Sequence, residues 1–569
     1  MSGFLSSSMA TTMARSYLQQ TSIKTVGGLK LNTRIMTCRL ISTGTATEFK
    51  SLENFNPNIN RAIEDLKFTV MTEVQEKVLP YLLKPGNSDS NLLVQAKTGT
   101  GKTVAFLIPS IQRAIEFKNN SASSKSSLPR KPTVLIISPT RELARQISDD
   151  AARLIARLPE HENILAKTVV GGVNFNEEAK RTFRGQGVDL LVATPGRLLQ
   201  YIESEPRLFN NVKVRIYDEA DTLLDQGFKY QLDKINAHLK ASADIDQSLM
   251  FSATVSDAVK SLARQDLGKD HHFITTITKD TVPTHALVPQ HLVNVERILD
   301  QPEALYALLK KQLADRSDEK FKAIVFCKSS KEVKFLLALF SKLLESHKID
   351  LFAISGRDPQ GRRFKTMENF KGSDSGIIFA TDVIARGIDI KGVTHVYQLG
   401  QPKAVAEYIH RIGRTGRAGK SGEAVIILSN LERPFITKLL AKNINFTNQV
   451  DYIQNAALRD HIKQVSKIVQ SQSADDNMLS GFWLSVTAYY KATYGRSLTL
   501  RDLLKDVFDS LPYFGLETDR PVITAVQRKF LRKVEGTQDW YNLVDFTNDA
   551  IKTGLTKSSG DRRRHKSSD

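Results

Sequence analysis

Short apolar runs recur along this chain, separated by longer amphipathic stretches. Leu92-Leu93-Val94, Val134-Leu135-Ile136-Ile137, Thr168-Val169-Val170, Leu190-Leu191-Val192, Val214-Arg215-Ile216-Tyr217 and Leu249-Met250-Phe251 read as buried strands. Runs this short and this apolar suit strands covered on both faces. Their alternation with helical stretches predicts a parallel sheet between helices, with ligands at the carboxyl ends of the strands. The rhythm restarts at Ala323-Ile324-Val325-Phe326 and continues through Leu351-Phe352-Ala353-Ile354, Ile377-Ile378-Phe379-Ala380 and Val396-Tyr397-Gln398-Leu399. The fold class is therefore α/β: two tandem doubly wound parallel-sheet domains, followed by a mostly helical C-terminal extension. Thr281 to Pro289, with two prolines and little periodicity, reads as the linker, and the polar segment Asn119 to Arg130 as a mobile surface loop. In the extension, helical periodicity runs through Phe435, Leu439 and Leu440 and from Tyr452 towards Val469. The aromatics Phe482-Trp483, Tyr489-Tyr490 and Tyr494 read as core.

Composition narrows the partner. Of 569 residues, 80 are Lys or Arg against 61 Asp or Glu, a formal net charge of +19. That excess suits a polyanion, because neutralising phosphates releases counterions. The cysteines, Cys38 and Cys327, are too few for a disulfide framework or a metal site by spacing. Cys327 ends an apolar run and reads as a buried thiol. No run of eighteen apolar residues is present, so no membrane-spanning helix is expected. Residues 1–47 contain Arg15, Lys24, Lys30, Arg34 and Arg39 but no acid; Glu48 is the first. Basic, Ser/Thr-rich and without a long apolar stretch, this segment reads as an organellar transit peptide. Arg39-Leu40-Ile41-Ser42 reads as its processing site, and the mitochondrial matrix is the expected destination.

Two motifs describe one site. The loop Ala96-Lys97-Thr98-Gly99-Thr100-Gly101-Lys102-Thr103 opens a helix. Such a loop can wrap backbone N–H groups around phosphates, with Lys102 reaching the β- and γ-phosphates. Asp218-Glu219-Ala220-Asp221 follows the strand Val214–Tyr217, which places Asp218 at its carboxyl end beside that loop. Thr103 and Asp218 then suit Mg²⁺, and Glu219 suits a base that activates water against the γ-phosphate of ATP. In Tyr408-Ile409-His410-Arg411-Ile412-Gly413-Arg414-Thr415-Gly416-Arg417, arginines recur every three residues. An arginine aimed at a transferring phosphoryl group stabilises its transition state.

With this run in place, the chain resembles the DEAD-box RNA helicases from about Phe68 to Gly422. Pro139-Thr140-Arg141-Glu142-Leu143-Ala144, Gly171-Gly172, Thr194-Pro195-Gly196-Arg197 and Ser252-Ala253-Thr254 match the family's first-domain motifs in order. Val325-Phe326-Cys327, Gln360 with Arg363, and Ala380-Thr381-Asp382 through Arg386-Gly387-Ile388-Asp389 match the second domain's. The resemblance implies two RecA-like domains, RNA-stimulated ATP hydrolysis, and ATP and Mg²⁺ as cofactors. It implies catalytic roles for Lys102, Asp218, Glu219, His410, Arg411 and Arg414, with Ser252 and Thr254 coupling hydrolysis to strand separation. It implies nucleotide contacts by Phe68, Gln75, the loop Ala96 to Thr103, and Asp389. Arg141, Gly172, Thr194, Arg197, Arg363 and Thr381 are the implied RNA contacts. None of these reads a base edge, so RNA binding is expected to be largely independent of sequence. Met71 stands where the family usually has proline, and Ser355 where relatives often have histidine.

The expected division is a transit peptide over 1–43, a helicase ATP-binding domain over 44–279, a linker over 280–290, a helicase C-terminal domain over 291–430, a helical extension over 431–557 and a basic tail over 558–569. Basic residues beside the extension's aromatics, from Lys491 and Arg496 to Arg528, Lys529, Arg532 and Lys533, are the expected RNA-facing surface there. The extension and the tail Arg562-Arg563-Arg564-His565-Lys566 resemble fungal mitochondrial DEAD-box RNA chaperones. A monomer is expected, acting on structured mitochondrial introns in splicing, and in translation, with no DNA partner. The alternative is a mitochondrial ribosome assembly helicase or an ATP-gated RNA clamp.

Overall fold

The computed structural model describes residues 47–87, 89–97, 99–120, 129–277, 288–315, 320–385, 388, 390–416, 421–472, 478–495, 500–515, 522–523 and 545–546. The expected transit segment, most of the expected linker and the basic tail lie outside these residues. In lobe one the strands are β1 (Leu92–Gln95), β2 (Val134–Ile137), β3 (Ala166–Val169), β4 (Leu190–Ala193), β5 (Val214–Tyr217), β6 (Gln247–Ser252) and β7 (His272–Thr275). They form one parallel sheet in the order β3-β4-β2-β5-β6-β1-β7. Lobe two follows with β8 (Gln290–Val295), β9 (Lys322–Phe326), β10 (Leu351–Ile354), β11 (Gly376–Ala380), β12 (His395–Leu399), β13 (Glu423–Ser429) and β14 (Asn448–Asp451). Its parallel order is β10-β11-β9-β12-β13-β8-β14, the same wiring strand for strand.

Both faces of each sheet are covered. In lobe one, Leu92, Val94, Val134, Ile136, Val214 and Ile216 face one core, whereas Leu93, Leu135, Leu191, Tyr217 and Met250 face the other. That alternation follows from the period of two along a strand, and it is why the strands read as unbroken apolar runs.

Several boundaries differ from expectation. Lobe two extends past residue 430, because β14 pairs with β8, and it begins at Gln290 inside the expected linker. The polar β14 (Asn-Gln-Val-Asp) and the edge strand β7 carry no apolar run that would announce them. β13 is a plain apolar run, yet neither it nor β8 figures among the expected strands. β3 starts at Ala166, two residues before the run that signalled it. Asn119 and Asn120 continue the helix Lys102–Asn120, and Arg130 is pinned by Asp189 at 2.8 Å. Residues 121–128 of the expected loop lie outside the described residues. Tyr452 precedes its helix, which spans Ala456–Gln472, and its hydroxyl donates to Glu303 at 2.9 Å.

The extension shares lobe two's core. Phe482 stacks on Phe335 with ring centroids 4.5 Å apart, and Trp483 meets Phe508 edge-on at 5.2 Å. Val465, Phe482, Trp483, Tyr490 and Leu504 belong to the same buried cluster as Phe335, Leu336, Leu339 and Phe340. The aromatics are therefore core, as their spacing suggested. No described helix is long and apolar enough to cross a membrane. Phe482→Ala is expected to destabilise lobe two by about 3–5 kcal/mol, read as a lowered midpoint in urea denaturation followed by tryptophan fluorescence. An unchanged midpoint would mean the extension only rests on the lobe.

Candidate active site between the lobes

The phosphate loop leaves β1 at its carboxyl end. Ala96 N–H donates to Ser252 O at 3.0 Å, and Gly99 and Gly101 adopt φ of +77° and +91°. A Cβ on Gly101 would stand 2.6 Å from Gln75 Nε2, so glycine is needed for closeness as well as conformation. Thr100 Oγ1 donates to Lys97 O at 2.8 Å, closing the loop on itself. Lys102 is buried, and its Nζ donates to Ala96 O at 2.9 Å. Burial lowers the Lys97 pKa. Gln75 caps its own helix by accepting from Thr72 N–H at 2.9 Å and donates to Gly101 O at 3.1 Å. Its amide thus holds the loop, besides facing the cleft where Phe68 is exposed. Met71 N–H donates to Thr47 O at 2.9 Å, a bond that proline could not make. Thr98 and Asp389 lie outside the described residues.

The acidic box follows β5. Glu219 sits at φ +49°, a left-handed conformation in a non-glycine residue and a mark of local strain. Asp218 Oδ1 accepts from Glu219 N–H at 3.0 Å, and Glu219 Oε2 accepts from Thr222 Oγ1 at 3.1 Å. Burial first, and then the charge of Glu219, hold the Asp218 carboxyl well above the usual carboxylate range. Two buried acids side by side, with Thr103 in the same cleft, are a donor set that a hard divalent cation satisfies. Asp221 was quoted in the motif but given no role. Its Oδ2 accepts from Thr254 N–H and Thr254 Oγ1, both at 2.9 Å, and its N–H donates to Ser252 Oγ at 3.2 Å. Burial opposes its ionisation, yet the charges of Lys102 and His410 and the Thr254 hydrogen bonds outweigh that and hold its pKa below the ordinary value. Asp221 therefore joins the Ser252/Thr254 segment to the box, with the buried His410 of lobe two close enough for its charge to count.

Both lobes line one cleft of about 980 Å³. Lobe one contributes Phe68, Gln75, Gly99 to Thr103, Asp218 and Glu219; lobe two contributes Ile388, Ile390 and Arg414. Arg414 donates to Ile388 O from the cleft wall. Arg411 does not line it. Its Nε and Nη2 grip Asp382 at 2.7 and 2.9 Å, and its guanidinium lies 5.2 Å from the Phe326 ring centre. Arg411, expected among the catalytic residues, is in this structure a bidentate strut inside lobe two. Equal spacing could not tell which arginine faces the phosphates. Arg417 lies outside the described residues.

Of the expected RNA contacts, Arg141 packs against Gly171 and Gly172; a Cβ on Gly172 would lie 2.2 Å from its Nη1. Thr194 stands at the N-cap position of Pro195–Ser204 with no side-chain hydrogen bond to the helix, and Thr381 N–H donates to Ile354 O at 3.2 Å. Arg197 is buried, paired with Glu178 at 3.0 Å and donating to Val173 O at 2.7 Å. Arg363 reaches Glu142 of lobe one, whose same Oε1 accepts from Gln360 Nε2 at 3.2 Å. Both guanidinium groups thus already have protein partners, and Arg363 bridges the lobes. Ser355 donates its N–H and Oγ to Asp358 at 2.6 and 2.8 Å.

Residues 72–262 match the DEAD/DEAH box helicase family and residues 300–419 the helicase conserved C-terminal domain. The chain belongs to the DEAD-box ATP-dependent RNA helicases. It is 31% identical to "ATP-dependent RNA helicase MSS116, mitochondrial" of Saccharomyces cerevisiae over 484 residues, 84% of this chain and 70% of that protein. It is 35% identical to DEAD-box ATP-dependent RNA helicase 26 of Oryza sativa subsp. japonica over 479 residues, 83% and 82% of the two. With the mitochondrial MSS116 of Lodderomyces elongisporus the identity is 35%, and the match spans 57% of that longer protein. Among solved structures, Mss116p (NTE and C-tail double deletion) bound to ssRNA and AMP-PNP superposes with a TM-score of 0.76 at 28% identity, covering 89% of this chain and 97% of that one.

Glu219→Gln is expected to keep nucleotide binding while turnover falls by about 10²–10⁴, the usual loss with a general base. Steady-state ATPase beside equilibrium binding of a fluorescent ATP analogue tests this. Near-normal hydrolysis would remove Glu219 from the mechanism.

Proposed function

We propose that this chain is an ATP-driven RNA chaperone of mitochondria, unwinding short duplexes locally to aid intron splicing and the translation of mitochondrial mRNAs. The observation that carries this reading is the single cleft built from both lobes, with the phosphate loop and acidic box on one side and Arg414 on the other. A site divided in this way is complete only when the lobes close.

Within that reading, Lys102 meets the β- and γ-phosphates, and Phe68 and Gln75 hold the base. Thr103 and Asp218 would hold Mg²⁺, which when bound would supply positive charge against the phosphates. Glu219 takes a proton from the attacking water. Asp221 passes closure to Ser252 and Thr254, and Arg414 completes the site from lobe two. RNA lies across Arg141, Gly172, Thr194 and Thr381, touched through its backbone and not its base edges. Closure bends the bound strand and frees its complement; loss of phosphate reopens the lobes. The MSS116 relatives are named as mitochondrial, which together with the acid-free residues 1–47 supports import into the matrix.

Unwinding is expected to slow steeply with duplex length and to need no particular overhang polarity, as read by gel-shift unwinding assays. Processive opening of long duplexes from one end would contradict it. Removing residues 1–47 should leave ATPase activity intact and strand a tagged chain in the cytosol. Crosslinking in isolated mitochondria should recover introns and mRNAs; ribosomal RNA alone would favour a role in ribosome assembly.

A further inference from the structure

The helix that carries His410 and Arg411, Val405–Ile412, follows β12 through the turn Gly400 to Ala404. Lobe two holds one side of that turn. Gly400 N–H donates to Ile427 O at 2.9 Å, and Gln401 N–H donates to Glu432 Oε1 at 2.5 Å. The other side is held by the extension helix Met478–Tyr494. Tyr489 OH donates to Gln401 O at 3.1 Å, and Tyr494 OH shares its one proton between Gln401 Oε1 at 2.9 Å and Leu431 O at 3.0 Å. Between them, Tyr490 OH donates to Glu432 Oε1 at 2.7 Å, and a Cβ on Gly400 would stand 2.5 Å from that hydroxyl.

Glu432 is fully buried and is itself fixed by Gln301 Nε2 at 2.6 Å and by Ser429 N–H and Oγ at 2.8 and 2.9 Å. Arg411, Asp382, Glu407 and Glu432 lie close enough to Tyr489 for their charges to act on its hydroxyl. The extension thus holds the turn that leads into the arginine helix at two hydroxyls, and the charge of Arg411, near the far end of that helix, reaches Tyr489. A buried tyrosine hydroxyl needs a partner, but any nearby carbonyl would serve; here three hydroxyls on one helix converge on one turn and its anchoring glutamate.

We propose that Tyr489 and Tyr494 are positioning residues for ATP hydrolysis: through Gln401 they set the height and rotation of Val405–Ile412, and so the aim of Arg414 into the cleft. This deepens the proposed function and rests on it. A shift of about 1 Å in a group that meets the transition state is costly, whereas ground-state nucleotide contacts on lobe one are untouched. The extension's tyrosines are then part of the ATPase, although none touches nucleotide.

The test is the full chain carrying Tyr489→Phe and Tyr494→Phe together, which keeps both rings and removes both hydroxyls. At saturating RNA, kcat for ATP should fall about tenfold while KM for ATP stays within about twofold. Hydrogen exchange, which needs no activity, should show faster exchange across residues 400–412 and unchanged exchange in β8 and β9. Gln401→Ala and Tyr494→Phe should be less than additive on kcat, because they delete two ends of one contact.

Unchanged exchange across 400–412 overturns the proposal whatever the ATPase does. A kcat within twofold of wild type in an active enzyme also overturns it, as does a loss of kcat matched by loosening throughout lobe two. An inactive wild-type chain whose 400–412 segment still loosens in the double variant would refute the ATPase reading and leave the positioning contact standing.

Discussion

A single carboxylate oxygen of Glu142 holds the lobes in register. It sits at the start of Arg141–Ile155 in lobe one and accepts from Arg363 and Gln360, both on Gln360–Gly372 of lobe two. The Arg363 side chain is 4% exposed and that of Glu142 10%. Removing one partner of such a pair leaves a buried charge uncompensated, which costs about 3–5 kcal/mol. Beside it, the Arg145 guanidinium lies 3.8 Å from the Phe364 ring centre. The cleft exists as a cleft because these two helices meet. Once they do, the acidic box of one lobe and Arg414 of the other share a volume.

Closure has a second electrical component inside that volume. Asp221 and His410 belong to different lobes, and their mutual influence helps keep Asp221 ionised. Ionised, Asp221 receives both hydrogen bonds from Thr254. The state of the nucleotide side is thereby tied to a segment that runs from β6 towards the rest of lobe one. The geometry makes the acidic box both a chemical centre and a joint.

How much of this the sequence carried depends on what kind of signal each residue gives. The phosphate loop and acidic box were legible because spacing along the chain sets their spacing in space: each lies at the carboxyl end of a strand that reads as apolar. Arg411 and Arg414 look alike in sequence, and only the rotation of a helix separates the strut from the residue that faces the cleft. Arg197 and Arg363 read as bare cations, but Glu178 and Glu142, distant in sequence, already hold them. β14 and β7 were invisible for another reason. An edge strand with one neighbour has no need of a continuous apolar run, so pairing with β8 and β1 defines them and composition does not. Lobe two's true extent, to Asp451, followed from that omission.

The identical wiring of the two sheets places β8 where lobe one has β1, and the turn after β8 where lobe one has its phosphate loop. That turn contains no cradle of glycines. It holds Asp300, which is buried and accepts from Arg297 N–H at 3.0 Å and from Arg459 of the extension at 3.1 Å, while Glu303 takes the same guanidinium at 2.7 Å. A carboxylate there repels a phosphate, and Arg459 beside it is already paired with Asp300 and Glu303. The two lobes are thus copies in backbone and opposites in electrostatics. One copy takes an anionic ligand that comes and goes; the other has turned the equivalent spot into a permanent socket for its own C-terminal helices.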